Sequence, residues 1–227
     1  TVVLPQLSKY IQEGEKDKIK LIQNKALELC LFLSIPAAVA ILIASEQIVS
    51  ALFGYGSFDE NGIKNTAKAL FYFGMGLPAF SLIKIFSSFF FAHQNTKTPF
   101  YLSLISVTLN ILISIFYFKS VGFIIIPIAT TISSWFNCVV LFIYLKKDDL
   151  FNFNLELLNR FIKIIITSIT MGFLFNYLII FFKEELAYEQ NFKSAYLIGI
   201  VLLALISYLL IALVIKAFKI SDINLKY

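Results

Sequence analysis

The sequence predicts an all-α membrane protein with six transmembrane helices, and three observations lead there. Of 227 residues, 59% are hydrophobic and only 15% charged, with a mean hydropathy of +0.84. A soluble domain is about a quarter charged, so this chain is too poor in charge for a fully water-exposed surface. Six runs are long enough to cross a bilayer core, which takes about 20 mostly apolar residues in helical form. Strict alternation is absent, and "FIIIPIA" and "LIGIVLLALISYLLIALVI" are continuously apolar, which argues against a β-barrel. In lipid a helix satisfies its own backbone hydrogen bonds, so each run is expected to be helical.

The elements follow in order along the chain. Residues 1–25 read as the last turn of a preceding span, "TVVLP", and then a cytoplasmic amphipathic segment, "SKYIQEGEKDKIK". With no initiating Met and no signal peptide, the chain is expected to start in mid-protein. The first span covers 26–44 with an amphipathic extension to 53, and "LFGYGSF" at 52–58 ends it in a turn whose two glycines permit a tight reversal. As a phosphate-binding loop "GYGS" fails, because no Lys follows and no strand precedes it. Further spans are expected at 67–92, 99–118 and 121–145. Pro36, Pro78 and Pro127 fall inside spans, where neighbouring helices can compensate the lost backbone bond. These four spans form one part, 26–145. A charged linker at 146–159 separates it from an apolar pair at 160–216, with spans at 160–182 and 195–216, and 217–227 form a tail.

Positive charge is retained on the cytoplasmic side of a membrane. With six spans, the termini share a side with the loops at 93–98 and 146–159. That side carries thirteen Lys and Arg against five on the other, so both termini are expected in the cytoplasm. The same asymmetry accounts for the net charge of +5 and excludes nucleic acid as the reason for it.

Three spans carry polar faces. Ser103, Ser106, Asn110 and Ser114 share one helical face, as do Thr130, Ser133, Ser134 and Asn137, and as do Gly74, Ser81, Lys84 and Ser88. Such seams serve helix packing or line a hydrated cavity. Lys84 is the only charge deep within a span, and burying it there costs ~2.5–3.5 kcal/mol. It is therefore either a snorkelling or locally paired lysine, or a cation facing an anionic substrate. Lys84, Ser81, Ser88, Asn110 and Asn137 are the candidate substrate-binding residues. Glu46 reads as an interfacial carboxylate, and Cys30 and Cys138 as packing residues. The sequence contains no HExxH, GxSxG, GxGxxG or CxxC and no paired intramembrane carboxylates, so neither an enzyme, a metal site nor a cofactor is expected.

The polar knot "FAHQNTKTPF" at 91–100 holds the only histidine. His93 has no partner of metal-ligand type nearby in sequence, and the knot reads as a turn with Thr96 or Thr98 as N-cap and Pro99 in the first helical turn. Together with "TVVLPQLSKY" and "LFGYGSF", in that order and spacing, "FFFAHQNTKTPF" resembles the lipid II flippase family (MurJ, also called MviN), within the superfamily of multidrug and oligosaccharidyl-lipid exporters. Phe91, Ala92, Thr96, Lys97, Thr98 and Pro99 match the family's cytoplasmic turn, and Gly56 and Phe58, with Leu52 and Phe53, its outer turn. Asn95 stands where that turn usually has Asp, and Tyr55 where many members have Arg.

The resemblance implies the C-terminal part of a fourteen-helix, two-lobed flippase, spans nine to fourteen. Such a carrier, a monomer as the full-length protein, moves undecaprenyl-pyrophosphate-linked peptidoglycan precursor across the bacterial inner membrane by alternating access. The fragment alone is expected to be inactive, and the apolar last pair to hold the polyprenyl tail among membrane lipids. An exporter of another polyprenyl-linked glycan or of drugs or cations, and a non-transporting membrane scaffold, are the alternatives.

Overall fold

The computed structural model describes residues 3–151 and 155–217, and every regular element among them is helical. In order these are α1 (Val3–Glu13), α2 (Lys16–Phe53), α3 (Glu60–Ala92), α4 (Lys97–Val121), α5 (Ile125–Lys147), α6 (Leu155–Phe181) and α7 (Lys193–Val214). Residues 152–154 of the linker and 218–227 of the tail lie outside the described residues.

Five helical stretches are long and apolar enough to cross a membrane, and one of them, Lys97–Lys147, contains both α4 and α5. A short 3-10 turn at Gly122–Ile124 divides it, with Gly122 at φ 74°, a conformation that glycine adopts without a Cβ penalty. Asn110 of α4, before that turn, bonds Thr130 and Ser133 of α5, after it, so the two helices fold back on each other as an antiparallel hairpin and six spans result.

Helices start well before the apolar runs. α2 begins at Lys16 rather than 26, α3 at Glu60 rather than 67, and α6 at Leu155 rather than 160. Lys, Glu, Gln and Leu are good helix formers, so the ladder of backbone bonds continues past the point where lipid would require it. α2 reaches 38 residues, roughly 57 Å of rise. Its one non-helical residue is Ala44 (φ −119°, ψ 27°), where the apolar run gives way to "SEQIVS". α1 is amphipathic and joins α2 through Gly14 at φ 73°, and residues 1–2 lie outside the described residues.

The chain forms two compact units. The first, 1–34 and 75–158, has a core in which Leu7 of α1 packs with Ile22, Phe86, Phe89, Phe90 and Leu141. Phe89 stacks on Phe151 at 5.9 Å, and Gln23 Nε2 donates to the Leu150 carbonyl at 2.7 Å, which ties the linker's first residues to α2. The second, 35–74 and 159–227, packs helices through small residues. A Cβ on Gly172 of α6 would lie 2.7 Å from Val39 of α2, and one on Gly74 of α3 would lie 2.7 Å from Ile41. α7 buries one stripe, Leu197, Ile200, Ala204, Tyr208 and Ala212, and exposes Leu and Ile elsewhere, as a helix facing lipid on most sides should.

Candidate functional site

Two of the three polar seams meet. Asn110 Nδ2 donates to Thr130 Oγ1 at 3.0 Å and to Ser133 Oγ at 3.4 Å, so the α4 and α5 faces are joined by interhelical bonds. Further along α5, Asn137 is buried and its Oδ1 has no partner, and Ser114 Oγ on α4 is likewise unpartnered. An unpaired amide oxygen away from water costs about 1–3 kcal/mol, so this seam retains acceptor capacity that packing does not use.

The α3 seam is different in kind. Ser81 Oγ donates to the Leu77 carbonyl at 3.1 Å and Ser88 Oγ to the Lys84 carbonyl at 2.8 Å, so both hydroxyls are spent on their own helix. Lys84 is exposed, and its ammonium has no ion-pair partner among the described residues. No hydrogen bond among them joins Ser81, Lys84 or Ser88 to Asn110 or Asn137.

At the knot, α3 ends at Ala92 and α4 begins at Lys97. Gln94 adopts φ 58° and turns the chain so that Asn95 faces the start of α4. Asn95 Oδ1 accepts from the Thr98 backbone N–H at 3.1 Å, while its Nδ2 donates to Thr98 Oγ1 at 2.9 Å. The cap is therefore neither Thr96, which makes no side-chain capping bond, nor Thr98, but Asn95. An amide carries both the acceptor that the free N–H needs and a donor for the threonine hydroxyl. Lys97 is exposed, Pro99 is buried within the first turn, and His93 Nδ1 pairs with the Phe89 carbonyl at 2.8 Å, closing α3 as a local brace.

The other turn is held by a lysine that sequence reasoning counted only as a charge. Lys193, the first residue of α7, is 1% exposed. Its Nζ donates to the carbonyls of Gly54 and Tyr188, each at 2.6 Å, and lies 4.4 Å and 4.7 Å from the ring centres of Tyr55 and Tyr188. Around it, Ser194 Oγ donates to the Ala51 carbonyl at 2.6 Å, Tyr55 Oη pairs with Ser194 Oγ at 2.6 Å, and Tyr188 Oη donates to the Phe58 carbonyl at 3.0 Å. Gly54 has no room for a side chain, since a Cβ would lie 2.5 Å from the Ser50 carbonyl, whereas Gly56 at φ 64° meets nothing and is needed for its backbone. The signal was available: a cation at a helix N-terminus is opposed by the helix dipole, so its place there requires compensating contacts.

A multi-pass helical membrane protein, with a polar seam inside one helix pair and chemically fixed turns at the ends of its spans, is the class these features define. The model of the family lipid II flippase MurJ matches residues 1–197. Probable lipid II flippases MurJ from Rhizobium meliloti and Rickettsia prowazekii are each 35% identical, over 76% and 65% of this chain and 32% and 29% of their own lengths. That of Thermotoga maritima is 29% identical over 86% of this chain and 37% of its own. A solved lipid II flippase MurJ in an inward closed conformation superposes with a TM-score of 0.74 at 25% identity, over 94% of this chain and 42% of that one. The chain belongs to the MurJ lipid II flippase family. It spans about a third of the length of the curated relatives it matches.

Proposed function

We propose that the protein carrying this chain moves lipid II, the undecaprenyl-pyrophosphate-linked peptidoglycan precursor, across the bacterial inner membrane, and that this chain supplies part of the wall of an alternating-access cavity. The observation that carries the reading is agreement of family and fold over nearly the whole chain, 94% of it for the solved flippase. The charge count supports cytoplasmic termini, with the 93–96 turn inside and the 54–59 turn outside.

Within this reading Lys84 offers positive potential to the diphosphate. Two features support that role: it lies eight residues before the end of α3, and no carboxylate among the described residues pairs with it. Asn110 and Asn137, with Ser81 and Ser88, add polar surface, and the exposed apolar faces of α6 and α7 suit the polyprenyl tail. The whole carrier is expected to act as a monomer.

The test is rescue of precursor export in cells depleted of their own flippase. The intact protein should restore growth and cell shape, and failure at normal expression removes the proposal. Lys84→Gln should lower export about tenfold or more if the ammonium meets a diphosphate, for which a charge-assisted bond contributes about 1.5–3 kcal/mol. Full rescue by Lys84→Gln at equal expression reduces Lys84 to a snorkelling lysine.

A further inference from the structure

A cavity of about 290 Å³ opens in the second unit where α2 passes to α3 and α6 passes to α7. Its polar walls are Glu46, Gln47 and Ser50 from α2, Glu60 and Lys64 from the start of α3, and Lys183 after α6. Glu46 and Ser50 are four residues apart on one helical face, just past the break in α2 at Ala44.

The charges sort into a spent pair and a free pair. Lys64 Nζ and Glu60 Oε2 are 3.7 Å apart and compensate each other. Glu46 and Lys183 are both exposed, and neither has an ion-pair partner among the described residues. In the same lining Ser50 is 7% exposed, and its hydroxyl, although it can both donate and accept, makes no hydrogen bond. A buried hydroxyl without a partner costs about 1–3 kcal/mol, so the site is incomplete as the protein alone forms it.

A ligand of one sign would leave either Glu46 or Lys183 facing a like charge or nothing. A zwitterion answers both, its ammonium to Glu46 and its anion to Lys183, with Ser50 donating to the anion. The place narrows the choice, because the ends of membrane spans lie at headgroup level. At about 30 Å³ for each water's share of liquid volume, the cavity has room for about ten water-sized groups, enough for the roughly eight heavy atoms of phosphoethanolamine. We propose that this cavity is a binding site for the headgroup of a zwitterionic phospholipid with a primary ammonium, phosphatidylethanolamine. The site is distinct from the α4–α5 seam and its test reads binding, so it stands or falls independently of transport.

The intact protein is released from nanodiscs of equal phosphatidylethanolamine, phosphatidylcholine and phosphatidylglycerol, and retained lipid is counted by native mass spectrometry. Phosphatidylethanolamine should be retained roughly fivefold over the other two, because phosphatidylcholine has no N–H to give Glu46 and phosphatidylglycerol no cation. Glu46→Gln and Lys183→Gln should each abolish that preference. Both residues are unpaired, so neither change removes an internal contact. Ser50→Ala should reduce retention without lowering thermal stability, whereas loss of a packing role would lower it. Soluble phosphoethanolamine, and not phosphocholine, should displace the bound lipid, which separates the headgroup from the acyl chains as the recognised part. Equal retention of the three lipids, wild-type retention by the Glu46 and Lys183 variants, or indifference to both soluble headgroups overturns the proposal.

Discussion

Replacing Lys193 by Met keeps the length and apolar stem of the side chain and removes the ammonium. What is lost can be read from the geometry. The carbonyls of Gly54 and Tyr188, each held at 2.6 Å, become orphans, at about 1–3 kcal/mol apiece. The two aromatic rings at 4.4 and 4.7 Å lose a cation worth about 0.5–2 kcal/mol each. Against this, the variant no longer holds an ammonium out of water, a cost of several kcal/mol in the native protein. The net expectation is about 2–4 kcal/mol of local destabilisation, confined to the turn at 54–58 and the start of α7. Hydrogen exchange in nanodiscs is the suitable assay, because a span-end turn can open without the bundle unfolding. Amides of 54–58 and 188–196 should exchange roughly 30- to 1,000-fold faster, with those of 93–98 unchanged. Unchanged exchange at 54–58 would refute the reasoning, since it would mean that the neighbouring Ser194 and Tyr188 bonds hold the turn without the lysine.

Other changes test the remaining contacts. Asn95→Ala should lower stability by about 1 kcal/mol through loss of the α4 cap, whereas Asn95→Asp should be near neutral, both read as thermal midpoints in detergent. Asn110→Leu removes two interhelical bonds and should cost about 0.6–2 kcal/mol in the same assay, measurable also as faster exchange in α4. Gly172→Leu forces a side chain into Val39, 2.7 Å from its Cβ, and should cost about 1–3 kcal/mol or abolish stable expression.

Spans and seams were legible because lipid makes the rules strict. The six apolar runs became six helices, and the faces read at Asn110 and at Thr130 and Ser133 turned out to be one contact. Helix starts were not legible, because hydropathy reports where lipid is and not where the backbone ladder ends; Lys16 and Glu60 are helical for reasons of propensity alone. The cap at 95 was misread because threonine and asparagine both suit the position. Only the left-handed Gln94, which pattern reading does not reveal, decides which side chain faces α4. For Lys193 the place at a helix N-terminus signals a need for compensating contacts, but what supplies them was not legible, for a different reason. Its partners are main-chain carbonyls 139 and 5 residues away, and carbonyls have no signature in sequence.

The two unusual lysines therefore change places in significance. Sequence singles out Lys84 because its position in the apolar run is costly, and passes over Lys193 because its position at a run's edge is cheap. In the structure the edge lysine is the buried one, with two carbonyls and two rings around its ammonium, and the mid-span lysine is exposed with no ion-pair partner among the described residues. A cation already enclosed by neutral acceptors is poorly placed to meet a mobile anion, because capture would first require breaking those bonds. A cation with free donors pays no such cost, and its desolvation is repaid only when an anion arrives. Charge reversal separates the two roles. Lys193→Glu should disrupt the 54–58 turn whatever the substrate, while Lys84→Glu should leave exchange at every turn unchanged and abolish precursor export. A Lys84→Glu protein that still exports would place the diphosphate elsewhere, and one that loses turn protection would make Lys84 a structural residue after all.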